Sequence, residues 1–489
     1  MEDELAPVSG GTRKTFGGWA ATLVDTLDTL HIMGLQEDFD IAVSEIESLD
    51  FGKPDAEELN TFETTIRYLG GFLSAYDLSD DPLLLDKAVE VGEMLYVTFD
   101  TPNRMPMTRW QWRQSTGGFG VQKASPNTLV AEIGSLTVEF TRLSQLTNNP
   151  KWFDAVQRIS KIFYEQQNYT RLPGMFPVLV DAEYSDLTED SAFTLGGMAD
   201  SLYEYFPKEY ALLGGLDLMY RHLYVRSMDT AIRYAFFRPM VPTEDDILIS
   251  GNVRAEDEEH PRLDSQGQHL ACFAGGMLAL GGRLFDLPSH VELGSKLTHG
   301  CIWAYENSPL GIMPESFHMA PCPSSSPKSA VTSCPWNETY YHEILMSRTG
   351  HDTTQTPSSI ISAKRLPPGF TDIGDRRYIL RPEAIESIFI LYRITGDPAL
   401  RETAWKMFET IDKHTKTPFA NAGIDDVTDD HPTLIDRMES FWTAETLKYF
   451  YLIFSDPNLI SLDDYVLNTE AHPFKRPKSK SDSKEGKTL

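Results

Sequence analysis

One short pattern recurs along the chain and limits its fold more than any other feature. From Phe72 to Pro82, an apolar helix end runs into Asp77-Leu78-Ser79-Asp80-Asp81-Pro82 and then into a new amphipathic helix. Phe140 to Pro150 and Ile390 to Pro398 repeat this arrangement, and Leu284-Phe285-Asp286-Leu287-Pro288 is a weaker echo. In each, Asp or Asn is suited to cap the second helix and Pro to occupy its first turn. Helix pairs of this kind must stack to bury their apolar faces, as an open solenoid or as a closed ring. The repeats are unevenly spaced, with long Gly- and Pro-rich loops between them. That favours a closed α/α barrel with function in the loops at one end. No alternating run is long enough to suggest a β domain.

Composition narrows the partners. A formal charge of -29 over 489 residues argues against nucleic acid and anionic membranes. Aromatic residues make up 11% of the chain, and their faces suit sugar rings as well as cores. The apolar stretch Ala20 to Gly34 holds Asp25 and Asp28, so it reads as a core helix rather than a membrane span. No signal peptide is visible, and any leader or anchor is expected to lie outside this chain. Four cysteines, Cys272, Cys301, Cys322 and Cys334, are compatible with two bridges. The sequons at Asn168 and Asn337 lean towards a secretory compartment. The stretch from about Pro309 to Pro368 reads as a long loop, and residues 475–489 as a disordered tail.

Several carboxylates stand where chemistry is possible. Pro382 marks a helix start, followed by Ile385, Ile388, Phe389 and Tyr392 as one buried stripe. Glu383 and Glu386 share a face of its first turn beside Arg381; dipole complementarity is the plain alternative. Asn60 and Glu63 have the form of a capping box, and Glu63 with Arg67 is an i, i+4 pair. Asp200 follows paired glycines and opens a Tyr-rich helix, as a cap or as a pocket residue. His269 lies on an apolar stretch, where a satisfied core histidine is the ordinary case.

Taken together, these blocks resemble glycoside hydrolase family 47, the class I α-1,2-mannosidases. The resemblance runs from Phe16-Gly17-Gly18-Trp19 to Leu467-Asn468-Thr469-Glu470-Ala471-His472-Pro473. It includes Phe62 to Gly71, Gly197 to Tyr205, His269 to Gly276, Arg381-Pro382-Glu383 and Met438 to Tyr449. It implies a single all-α domain, an (α/α)7 barrel over residues 1–474, with a calcium ion in the site. By motif, Glu63 matches the acid, Glu383 the base and Asp200 a third essential carboxylate. Arg67, Glu132, His269, Arg381 and Phe441 match substrate-binding neighbours. Thr469 matches the direct calcium ligand, with Glu386, Glu445 and Glu470 holding its waters. An inverting mechanism needs one protonated and one ionised carboxyl about 6.5–9.5 Å apart.

The resemblance also implies a Cys272–Cys301 disulfide, closing a loop that contributes about 3 kcal/mol; Cys322–Cys334 is a less secure second pair. The expected partner is a high-mannose N-glycan, in the endoplasmic reticulum, the Golgi or outside the cell, with a monomer as the default state. Met198 stands where members restricted to one mannose carry Arg. Methionine has no donors, so broader, Golgi-type trimming of Man9GlcNAc2 towards Man5GlcNAc2 is expected; the alternative is that Met198 only fills space beneath Asp200. Two other readings remain, a quality-control factor marking misfolded glycoproteins and an oligomannose lectin with weak catalysis. The chain ends soon after the Thr469 motif, and the plain processing enzyme is the favoured expectation.

Overall fold

The computed structural model describes residues 1–113, 121–323, 330–348 and 356–477. The turns at Pro82 and Pro398 behave as the pattern requires. Asp81 accepts from Leu83 N–H at 3.0 Å and Asp397 from Ala399 N–H at 3.0 Å, with Pro82 and Pro398 opening the helices that follow. Asn149 accepts from Lys151 N–H at 3.2 Å. The weaker echo has Leu287 at the cap and no side-chain bond there. In all four turns the residue two before the proline is left-handed: Asp80, Asn148, Asp286 and Gly396. A left-handed residue ends one helix sharply, so that the next can fold back along it.

Among the described residues, seven helices form an inner ring in chain order. They are Ala21–Ile32, the run Thr61–Glu63 through Gly70–Ser79, Thr137–Thr147, Asp200–Leu212, Phe273–Leu284, Glu383–Thr395, and Trp442–Thr446 continuing as Leu447–Phe454. Each packs on the next, and the last packs back on the first, which closes an (α/α)7 barrel. Gln36–Ile46, Pro82–Tyr96, Lys151–Gln166, Leu218–Tyr234, Pro288–Glu306 and Pro398–Thr415 lie outside, each against the inner helix before it. No helix among the described residues is long and apolar enough to cross a membrane.

Three expectations need correction. The Glu383 helix does not present one stripe: every residue from Ala384 to Leu391 is buried, as an inner barrel helix requires. The stretch from Pro309 to Pro368 is not one loop. It holds strand Ser316–Met319 and helices Glu338–Arg348 and Pro357–Lys364, the last opened by a Thr356–Ser359 capping box. A small core of Met240, Ala320, Cys322, Cys334 and Tyr341 pins it to the barrel. Finally, order continues past 474, because strand Tyr465–Leu467 pairs with Pro473–Lys475 and Arg476 N–H bonds Asp464. The rest of the expected tail, from 478 on, lies outside the described residues. Both disulfides are present, Cys272–Cys301 and Cys322–Cys334.

That last hairpin is the least local part of the fold. Its tip, residues 468–472, enters the barrel. Asn468 and His472 are fully buried there. Asn468 Nδ2 donates to the Ile66 carbonyl at 3.0 Å and to Glu139 at 2.7 Å. The tip fits because Gly70 has no side chain: a Cβ there would lie 2.7 Å from Asn468 Nδ2.

Candidate active site

Glu63, Asp200 and Glu383 all lie in the first turns of inner helices, so the barrel gathers them at one end. The positive ends of those helices favour carboxylates there. A pocket of about 630 Å³ opens at this end. Glu63, Arg67, Glu132, Met198, Asp200, Arg381, Glu383, Glu386, Phe441, Glu445, Thr469 and Glu470 all line it. The expected site residues thus converge, with one exception.

The exception is His269. It is fully buried and stands behind Glu383 rather than facing the pocket. Its Nδ1 is 2.8 Å from Glu383 Oε2 and its Nε2 is 2.7 Å from the Tyr305 hydroxyl. With Nδ1–H donating to the carboxylate, Nε2 accepts from Tyr305, and the ring is held in one orientation. His269 therefore positions Glu383; the expected substrate contact gives way to this one. On the other side, Arg381 lies 3.4 Å from Glu383 and is itself paired with Glu315. Burial alone would raise the Glu383 pKa, but Arg381 and His269 together hold it below the ordinary glutamate value. Asp200 is the converse: burial, with Glu204 and Glu383 nearby, pushes it up to about 7. The pocket therefore offers one ionised and one protonated carboxyl in mildly acidic solution.

Glu63 forms only half of the expected capping box. Asn60 accepts from Glu63 N–H at 3.2 Å, but the Glu63 side chain accepts from Arg67 Nε at 2.9 Å instead. Arg67 also meets Glu470 at 2.6 Å and Asp25 at 3.2 Å, so three carboxylates fix it. The helix passes through a π-helical turn at Thr64–Leu69, and a second occurs at Trp442–Thr446, where Glu445 sits. Such turns shift side chains off the usual register and recur at functional sites. Non-glycine residues with positive φ also gather here: Met198 (78°), Leu380 (72°) and Ala471 (56°). Met198 is 57% exposed, so it is not filler beneath Asp200.

Thr469 rides on the hairpin tip to the pocket floor, its N–H donating to the Tyr205 hydroxyl at 3.3 Å. Its hydroxyl and carbonyl are hard oxygens of the kind calcium takes. Glu386, Glu445 and Glu470 are all buried around the same pocket. Burial, with like charges adjacent, pushes Glu386 and Glu470 up to about 8 and Glu445 well above its ordinary value. So many buried acids suit a cation, whose charge would favour their ionised forms. Among the described residues, no three acidic, His or Cys side chains converge closely enough to hold an ion directly. The oxygens of Thr469 and the buried carboxylates around it are of the kind a hard cation takes.

Several residues in or behind the pocket wall were missed from sequence. Arg109 pairs with Glu132 at 2.6 Å, and Glu204 is paired with the buried Lys208, which also lies 3.7 Å from Glu386. Glu315 holds Arg381, and Gln268 Oε1 accepts from Gly197 N–H at 3.1 Å. Arg109, Glu315 and Gln268 have partners far away in sequence, and the Glu204–Lys208 pair reads locally as an ordinary i, i+4 pair, so no local pattern marks them.

A closed α/α barrel with carboxylates of opposed ionisation facing one pocket is a frame on which glycoside hydrolysis can be built. The family model of glycosyl hydrolase family 47 matches residues 1–476, and the chain belongs to that family. It is 34% identical over 481 residues to the human endoplasmic reticulum mannosyl-oligosaccharide 1,2-alpha-mannosidase, covering 96% of this chain and 60% of that protein. It is 30% identical over 488 residues to human mannosyl-oligosaccharide 1,2-alpha-mannosidase IC, covering 99% of this chain and 68% of that protein. The chain thus spans less than two thirds of the endoplasmic-reticulum relative. Among solved structures it is similar to the alpha-1,2-mannosidase from Trichoderma reesei, with a TM-score of 0.82 and 30% identity over 97% of this chain and 94% of that one.

Proposed function

We propose that the chain is a calcium-dependent, inverting α-1,2-mannosidase that trims α-1,2-linked mannose from high-mannose N-glycans. The observation that carries this reading is the convergence of Glu63, Asp200 and Glu383 in one pocket of the barrel, with Glu383 held low by Arg381 and His269 and Asp200 pushed up to about 7 by burial. Glu383 draws a proton from the attacking water as general base. Glu63 delivers a proton to the leaving oxygen, directly or through a water, and protonated Asp200 donates a hydrogen bond within the same pocket. Phe441, with Arg381 5.9 Å from its ring centroid, offers an apolar face to the sugar. When bound at Thr469, calcium would supply a Lewis-acidic contact for sugar hydroxyls, with Glu386, Glu445 and Glu470 orienting its waters.

The pH dependence follows from the two carboxyls. Glu383 is ionised throughout mildly acidic solution. Asp200 keeps its proton below about 7 and loses it above. The expected kcat/KM profile is level at mildly acidic pH and falls as pH passes about 7. A rate that stays level well above that value contradicts a protonated Asp200.

Met198 supports broad trimming. It is exposed in the pocket and has no hydrogen-bond donor to select one branch. A time course on Man9GlcNAc2 with isomers resolved is expected to pass through several Man8 and Man7 species towards Man5GlcNAc2. Met198→Arg is expected to shift the mixture towards one Man8 isomer. A single Man8 isomer resistant to further digestion by the unmodified chain contradicts the reading. Both disulfides, with exposed Asn168 and Asn337 in sequons, support an oxidising secretory lumen as the working compartment.

A further inference from the structure

Three arginines line the pocket, and they are not equivalent. The Arg67 side chain is 9% exposed and meets Asp25, Glu63 and Glu470. Arg381 is 17% exposed and meets Glu315 and Glu383. Both are largely buried and pair with at least two carboxylates, the catalytic Glu63 and Glu383 among them. Arg109 is 44% exposed and has one carboxylate partner among the described residues, Glu132 at 2.6 Å. Its Nη1 also donates to the Thr108 carbonyl at 3.2 Å. A guanidinium has five N–H donors, so Arg109 keeps donors for a ligand.

Arg109 is also held firmly. Strand Arg109–Trp110 pairs with Leu59–Asn60, with Arg109 opposite Asn60, directly before the helix that carries Glu63. Thr61 N–H donates to the Thr108 carbonyl at 3.1 Å and Thr61 Oγ1 to the Met107 carbonyl at 2.5 Å. Glu132, which orients the guanidinium, is buried on the short helix Val130–Gly134. The same helix start is tied to Met198, because Ala131 N–H donates to the Met198 carbonyl at 3.1 Å. Arg109, Glu132 and Met198 therefore belong to one wall. Along the pocket, exposure rises from buried Glu386, Glu445 and Glu470 to exposed Arg109 and Met198. The carboxylates mark the end where the bond is cleaved, and Arg109 stands at the rim.

We propose that Arg109, oriented by Glu132, hydrogen-bonds hydroxyls of a mannose beyond the two sugars joined by the scissile bond. It would supply from the neighbouring strand a donor that position 198 lacks. This deepens the α-1,2-mannosidase reading and rests on it. The rim is then selective towards the size of the glycan although Met198 is apolar. A charge-assisted bond made by a planar fork is directional, and lysine does not reproduce it.

The test compares kcat/KM for Man9GlcNAc2 with that for the disaccharide methyl α-mannobioside, 1,2-linked, in the unmodified chain, Arg109→Met and Arg109→Lys. In Arg109→Met the ratio of the two constants is expected to fall about tenfold or more, carried mainly by KM for the large glycan. Arg109→Lys is expected to recover part of that ratio, and it serves alone if Arg109→Met does not fold. An unchanged ratio overturns the proposal, whether both substrates lose equally because Arg109 acts only by holding Glu132, or neither loses. An unmodified chain that cleaves neither substrate contradicts the mannosidase reading itself, and this inference falls with it.

Discussion

Glu383→Gln loses about 10²–10⁴-fold in turnover while the fold and glycan binding persist. Glutamine has nearly the shape of glutamate, and its carbonyl oxygen can still accept from His269 Nδ1, now 2.8 Å from the carboxylate. Arg381 keeps its pair with Glu315, so no buried guanidinium is stranded. What disappears is the basic carboxylate that Arg381 and His269 maintain in its ionised form. Single-turnover kinetics alongside glycan binding by calorimetry separates the two effects. Near-normal turnover in Glu383→Gln removes Glu383 from the role of base. Glu63→Gln is expected to behave similarly, since it removes the proton donor without disturbing the N–H bond to Asn60.

Removing calcium is expected to have the second large effect, on the proposed calcium dependence. Exhaustive chelation is expected to abolish activity and lower the melting temperature, and added calcium to restore both. The stabilisation follows mass action, about 2.7 kcal/mol when free ion is a hundredfold above its Kd, because the unfolded chain has no site. The site is assembled from distant parts: Glu386 and Glu445 come from two inner helices, and Thr469 and Glu470 from the hairpin tip. An ion there would tie the hairpin to the barrel wall. Full activity after chelation, with no metal left by elemental analysis, reduces Thr469 to a turn residue.

The helix pairs could be read from sequence because their signals are local. Asp81 and Asp397 cap within two residues, and Pro82 and Pro398 open helices regardless of the rest of the fold. Which helix of a pair lies inside was not readable in the same way. Glu386 and Ser387 look like the polar face of the Glu383 helix, yet both are buried, because the barrel interior is lined with paired polar groups. The carboxylates were found because they open helices beside recognisable blocks. Lys208, Glu315, Tyr305 and Arg109 were not, since each acts through a partner distant in sequence. Asn468-Thr469-Glu470 is a turn by local signals. Only its burial against Ile66, Glu139 and Lys208 shows why these residues are needed. The π-helical turns at Thr64–Leu69 and Trp442–Thr446 left no mark in the hydrophobic pattern.

As the proposed base, Glu383 activates a water for direct displacement at the anomeric carbon. Inversion of an α-linkage must release mannose first as the β-anomer, and only later does mutarotation mix the two. Proton NMR of the chain acting on free Man9GlcNAc2 in calcium reads this directly. Inversion puts β-mannose in the earliest spectra. Mannose appearing first as the α-anomer, or a glycan that binds without releasing any mannose, would contradict it.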